Sequence, residues 1–174
     1  DKLRQRARAN RDAIAGDRLG PSPARVDRIL DALDAFVDRE TQLLTERGTR
    51  RVEGHGDLRP DHIYLGPPPA VIDCVEFNRD FRVNDPLDEL AFLAMECDRH
   101  DAGWIGDRVL KIYAEVTGAA VPSRLIAFYK AHRALLRAKL SLWHLHDPEV
   151  DAAKWRRRTE AYLALAENLR DAFE

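Results

Sequence analysis

Residues 55–62 read His55-Gly56-Asp57-Leu58-Arg59-Pro60-Asp61-His62, and Asp73 follows within Val71-Ile72-Asp73-Cys74-Val75-Glu76-Phe77. Asp57 lies in a Gly/Pro loop, and Asp73 closes an apolar run. A loop and a strand end of one hairpin-like segment can bring two carboxylates to opposite sides of a single pocket. Chemistry that uses such a pair is metal-assisted transfer of a phosphoryl group to a hydroxyl. One carboxylate accepts the proton of the attacking hydroxyl, and the other holds Mg²⁺ against the phosphate oxygens. Asp57 suits the base, because a loop can present it to a substrate. Asp73 suits the metal ligand, because a strand end holds it rigidly and magnesium takes hard oxygens, few of them from protein. Glu76 is a further candidate ligand. His55 joins Asp57 as a catalytic candidate, with a packed, hydrogen-bonded orienting role expected of it. Arg59 is a candidate for touching phosphate; a loop-bracing arginine is the plainer reading.

Positioning these residues falls to short strands expected around 51–54, 62–65 and 70–74, the last two forming a hairpin over Gly66–Pro69. GDRLGPSP at 16–23 is a break between a helix-prone stretch at 1–15 and the next helix. Ser22 then reads as an N-cap with Pro23 at the first helical position. Val26, Ile29, Leu30, Leu33, Phe36, Val37 and Leu44 follow at helical spacing, which predicts one amphipathic helix of about six turns ending at Gly48. After the insert, Asp85 and Pro86 begin a helix through Leu90 and Ala94. A second runs from about Gly103 to Val116 and stops at Gly118. A third starts at Ser123 and carries Leu125 to Trp143, and a fourth carries Trp155 to Phe173. The expected class is α+β and mostly α-helical, one domain over 1–174 with a catalytic and metal-binding insert at 51–77.

Composition excludes several roles. The 174 residues suit one ordinary domain with a real core. Lys+Arg is 28 against Asp+Glu 30, a net charge of −2, which argues against a nucleic-acid-binding protein. No apolar run approaches the ~18 residues of a membrane span. Cys74 and Cys97 lack a zinc spacing and read as reduced core thiols, in keeping with a cytoplasmic protein. Arg4, Arg6, Arg8 and Arg11 read as one solvated helix surface. Trp104, Trp143 and Trp155 read as core or groove aromatics. The chain opens at Asp1 without a methionine and is read as a possible fragment.

HGD followed by a hairpin, the Val-Ile-Asp run and the helix DPLDELAF resembles the aminoglycoside phosphotransferase and choline kinase group, relatives of the protein kinases. The resemblance covers roughly positions 50 to 95. It implies the helical C-terminal lobe of a protein-kinase-like fold, Asp57 as base, Asp73 as magnesium ligand, and His55 and Asp85 as supports of the loop. It also implies ATP as donor and a small-molecule hydroxyl as acceptor. VIDCVEFN resembles an uncharacterised bacterial branch in which such a domain can be joined to a P-loop kinase domain.

Two departures accompany the resemblance. The family's metal-binding Asn falls on His62, and an imidazole is a poor magnesium ligand. Either His62 hydrogen-bonds to a ligand, or Asp61 or Glu76 supplies the oxygen, or one metal site is lost. The residues before His55 contain no glycine-rich phosphate loop, and Lys2 is their only lysine. The chain therefore reads as a C-lobe without its nucleotide-binding lobe, expected to bind ATP weakly or not at all by itself. Two other readings stand beside the phosphotransferase. One is a non-catalytic, kinase-like binding or regulatory module. The other is a hydrolase using His55, Asp57, His62 and Asp73 around Zn²⁺ or Mn²⁺.

Overall fold

Pro23 occupies the first turn of the helix that follows the Gly/Pro break, where its missing N–H and fixed φ do no harm. The Ser22 side chain makes no capping bond, so the helix start rests on the proline and not on the expected serine cap. The computed structural model describes all residues except Asp1, Gly16 and Arg18, and leaves out the side chains of residues 2–4, 6–8 and 15. The reading of Arg4, Arg6 and Arg8 as a solvated surface lies outside the described residues.

The chain forms two compact units, one from residues 1–41 and 131–174, the other from 42–130. The described residues are mostly helical, with two small two-stranded antiparallel sheets among them. The first unit contains α1 (Lys2–Ala15), α2 (Pro23–Arg39), residues 131–143 of α7 (Ser123–Trp143) and α8 (Ala152–Leu169). Val26, Ile29, Leu30, Leu33 and Phe36 of α2 are all buried, as their spacing predicts. Each large side chain of this kind contributes roughly 1.5–3 kcal/mol by leaving water. Phe36 meets Phe173 edge-on at 5.9 Å between ring centres. Arg11 is not merely solvated: it pairs with Asp31 at 2.7 Å and Asp27 at 3.5 Å.

The expected single helix from Pro23 to Gly48 is two helices. α2 ends at Arg39, Glu40 leaves helical geometry, and α3 runs Thr41–Gly48. The Thr41 hydroxyl donates back to the carbonyls of Val37 and Asp38 at 2.8 and 3.1 Å, competing with the backbone amides at the break.

The second unit holds α3, the insert, α5 (Pro86–Arg99), α6 (Gly103–Thr117) and residues 123–130 of α7. Asp85 caps α5 as expected, its Oδ1 accepting from the Leu87 N–H at 2.9 Å, with Pro86 behind it. α6 ends where Gly118 takes a left-handed conformation. Gly106 of α6 lies so close to Ala94 of α5 that an added Cβ would fall 2.6 Å from the alanine Cβ, so the glycine permits this contact.

The strands are shorter than expected. β2 (Ile63–Tyr64) pairs with β3 (Ala70–Val71), which is the anticipated hairpin. β1 (Val52–Glu53) pairs instead with β4 (Val83–Asn84), after the four-residue helix α4 (Arg79–Arg82). Cys97 is buried, but Cys74 is exposed, contrary to its reading as a core thiol. Trp104 and Trp143 are 71 % and 51 % exposed, so neither is a core aromatic. No described helix is long and apolar enough to cross a membrane.

Candidate functional site: the His55–Asp73 loop pair

The insert is tied down from beneath by α5. Glu89 is buried, and its carboxylate accepts the N–H of His55 at 3.0 Å and that of Gly56 at 2.6 Å. Bonds from backbone amides to an ionised carboxylate are the stronger sort. The flanking glycines make the approach feasible. A Cβ on Gly54 would collide with the Glu89 carboxylate, and Gly56 has φ +85°, a backbone that glycine adopts freely.

A second set of bonds fastens residues 72–75 across the loop. The Ile72 N–H donates to the His62 carbonyl at 2.9 Å, and the Val75 N–H donates to the His55 carbonyl at 3.0 Å. Asp73 lies between these anchors with φ +61°. It is therefore two residues beyond β3, on a left-handed bend, and not at the strand end expected for it.

This bend carries Asp73 to His62. The Asp73 Oδ2 lies 3.3 Å from His62 Nε2, and the Asp57 Oδ2 lies 3.8 Å from His62 Nδ1. Both carboxylates thus flank one imidazole, itself buried, with Asp57 27 % and Asp73 76 % exposed at the side chain. His62 Nδ1 is 2.9 Å from the Asp57 carbonyl, which can only accept, so Nδ1 carries a proton. Its Nε2 is 2.7 Å from Arg59 Nη2, a donor. Both nitrogens of His62 are engaged within the loop.

Arg59 braces the same loop with its whole guanidinium. Nε donates to Asp57 Oδ2 at 3.0 Å, Nη1 to Asp61 Oδ2 at 3.1 Å, and Nη2 to His62. His55 also has both ring nitrogens occupied. Its Nδ1 accepts the Asp57 N–H at 3.3 Å, which leaves the proton on Nε2, 2.7 Å from the Ile72 carbonyl. That is an orienting arrangement. Glu76 stands exposed on the chain beyond Asp73. Among the described residues, no three His, Cys, Asp or Glu side chains gather closely enough to hold a metal ion. Neither Asp73, His62 and Glu76 nor the four-residue hydrolase set is preassembled.

No family model and no solved structure matches the chain. It is similar to uncharacterised proteins of Mycobacterium tuberculosis (strains H37Rv and CDC 1551) and Mycobacterium bovis. Each is 36 % identical over 131 residues, which is 74 % of this chain and 26 % of the relative. The chain spans about a quarter of the length of the curated relatives it matches.

Beneath the insert sits a buried cluster that sequence reasoning saw only in part. Asp85, anticipated as a cap, also accepts from Arg47 Nε at 2.7 Å and from the Tyr129 hydroxyl at 3.0 Å. A second bond joins Arg47 Nη2 to Asp85 Oδ1. The hydrogen bond to Asp85 raises the Arg47 guanidinium further above its already high value. Burial chiefly, then the charge of Asp85, raises the Tyr129 phenol, so both donors keep their protons at any physiological pH. Glu89 was missed outright. Two glycines bracketing His55 were the available signal, since such spacing allows another group to approach the backbone.

Proposed function

We propose that the Asp57–Asp73 loop pair is the phosphoryl-transfer site of an ATP-dependent phosphotransferase acting on a small-molecule hydroxyl. In this reading the chain is the C-terminal lobe of a protein-kinase-like fold. The supporting observation is the convergence of two carboxylates, from separate loops, on opposite nitrogens of His62 at 3.8 and 3.3 Å.

Magnesium fits the donor chemistry of these loops. Asp73 offers hard oxygens on a side chain open to solvent, which leaves room for the waters that the ion retains. When bound, the ion would offset charge on the phosphoryl group. Asp57 accepts the proton of the acceptor hydroxyl at Oδ1, while Arg59 holds Oδ2. His55 and Glu89 fix the backbone that carries Asp57, and His62 keeps Asp57 and Asp73 in register. Arg59 stands where its guanidinium can turn from Asp61 to a phosphate oxygen. The nucleotide would be held by a further lobe, or a fused P-loop kinase domain, of a longer cytoplasmic protein. The greater part of each mycobacterial relative lies outside the matched segment.

A non-catalytic binding or regulatory module is the second reading. It is favoured by the Arg59 guanidinium on Asp57 and by the engagement of both His62 nitrogens.

Transfer of labelled γ-phosphate from ATP to a panel of sugars and amino alcohols, by the intact protein with Mg²⁺, tests the first reading. Asp57→Asn should lower turnover by about 10²–10⁴ while the fold survives. Unchanged transfer removes Asp57 from the chemistry. Failure of the intact protein to bind Mg²⁺ and ATP in calorimetry supports the module.

A further inference from the structure

The first unit carries a small cavity of about 200 Å³ between the turn at 19–21, the end of α7 and the first half of α8. Leu142 and Thr159 form its floor, and both are buried. Leu19, Pro21 and Leu145 complete an apolar wall. The turn that closes the cavity is fastened at two points. Asp17 Oδ1 accepts the Leu19 N–H at 2.8 Å, and Asp17 Oδ2 lies 2.6 Å from His146 Nε2, just beyond α7. A Cβ added to Gly20 would lie 3.4 Å from Leu142 Cδ2, so the turn rests directly on α7.

Polar groups are distributed unevenly around this space. The Thr159 hydroxyl donates to the Trp155 carbonyl at 3.0 Å, so its proton is not offered to a ligand and the floor favours apolar matter. Two charged side chains line the cavity, Arg156 and Glu160. Glu160 is committed, because Arg25 Nη1 donates to its Oε2 at 2.5 Å. Arg156 is exposed, and among the described residues nothing engages it in a hydrogen bond, an ion pair or a ring contact. An entering anion meets that unengaged guanidinium as attraction, and an entering cation meets it as repulsion. The volume falls below the usual range of drug-sized sites, which limits the occupant to a short chain.

We propose that this cavity binds a short aliphatic monocarboxylate, its chain against Leu19, Leu142 and Leu145 and its carboxylate on Arg156. The proposal is independent of the phosphotransferase reading and concerns the first unit alone.

Titration of the full chain with acetate, butyrate, hexanoate and hexylammonium, followed by amide NMR shifts, tests it. Saturable shifts are expected at the Leu19, Gly20 and Leu145 amides, with affinity rising about fourfold for each CH₂ that leaves water. Hexylammonium should bind at least about fivefold more weakly than hexanoate. Arg156→Gln should weaken hexanoate by about two- to fivefold, the reach of an exposed ion pair. Leu19→Asp, which sets a carboxylate in the wall, should abolish binding. Arg157→Gln, next in sequence but outside the lining, should leave affinity unchanged. Thermal melts verify that each variant folds. Dependence on chain length together with selective loss in Arg156→Gln supports the proposal. Absence of saturable shifts at these amides, preference for hexylammonium, indifference to chain length, or equal losses in Arg156→Gln and Arg157→Gln overturns it.

Discussion

Arg59 donates from Nε to Oδ2 of Asp57 at 3.0 Å, so the carboxylate of the HGD loop already carries a cation from its own chain. Any divalent ion drawn to these loops meets that charge first. Two unit charges about 4 Å apart in water interact by roughly 1 kcal/mol, which corresponds to about fivefold in affinity. Arg59→Gln should therefore bind Mg²⁺ about fivefold more tightly than the parent, as read by calorimetric titration of the intact protein. Equal or weaker binding would show that Arg59 builds the site and does not compete for it.

The Glu89 carboxylate serves two amides at once. Glu89→Gln keeps one oxygen and turns an NH₂ group toward the other N–H, which leaves a buried donor unmet at about 1–3 kcal/mol. Faster hydrogen exchange at the His55 and Gly56 amides is the expected signature, together with a matching drop in unfolding free energy. Unaltered exchange at both amides would contradict the anchoring role.

Arg47 and Asp85 are both buried. Arg47→Leu strands the Asp85 charge and should cost about 3–5 kcal/mol in urea unfolding. Tyr129→Phe removes one neutral donor from the same carboxylate and should cost only about 1 kcal/mol. Similar losses for the two variants would mean that the arginine charge is not what Asp85 requires.

On the first unit, Arg25 grips Glu167 with Nε at 2.9 Å and Nη2 at 2.8 Å. The hydrogen bond to Arg25 holds the Glu167 carboxyl below its ordinary 4.5. A carboxyl that is more acidic folded than unfolded adds stability above its ordinary value. That stability fades as pH falls through the lower, folded value. Glu167→Gln should therefore melt earlier than the parent at neutral pH, and the gap should close as pH drops below about 4.5. A gap that persists in acid would assign the effect to packing instead of charge.

Local signals were legible where local physics decides the structure. The Asp85-Pro86 start of α5, the Gly118 stop of α6 and the turn over Gly66–Pro69 each follow from a residue's own backbone preference or hydrogen-bonding reach. The hairpin that turns the chain back toward the HGD loop was anticipated, but the left-handed bend at Asp73 and its approach to His62 were not. Pairing of β1 with β4 was invisible, because Val52 and Asn84 are distant in the chain and two-residue strands have no periodicity to read. Glu89 looked like an ordinary acidic residue in the first turn of a helix. Only its burial against a glycine-flanked backbone distinguishes it. Cys74 was misread as a core thiol, and Trp104 is not a core aromatic, because residue type predicts average burial whereas both stand on exposed segments.

Asp73 is a non-glycine residue with φ +61°, a backbone region that Asp, Asn and Gly enter and that β-branched residues resist. Drift at this position is consequently channelled by backbone shape before any chemistry is judged. Asn would keep the bend and discard the charge, Gly would keep the bend and discard the oxygens, and Val or Ile would have to straighten the chain. A lineage that relinquished the acid could thus retain the loop's outline almost unchanged, leaving a descendant without the carboxylate hard to tell from its ancestor by shape alone.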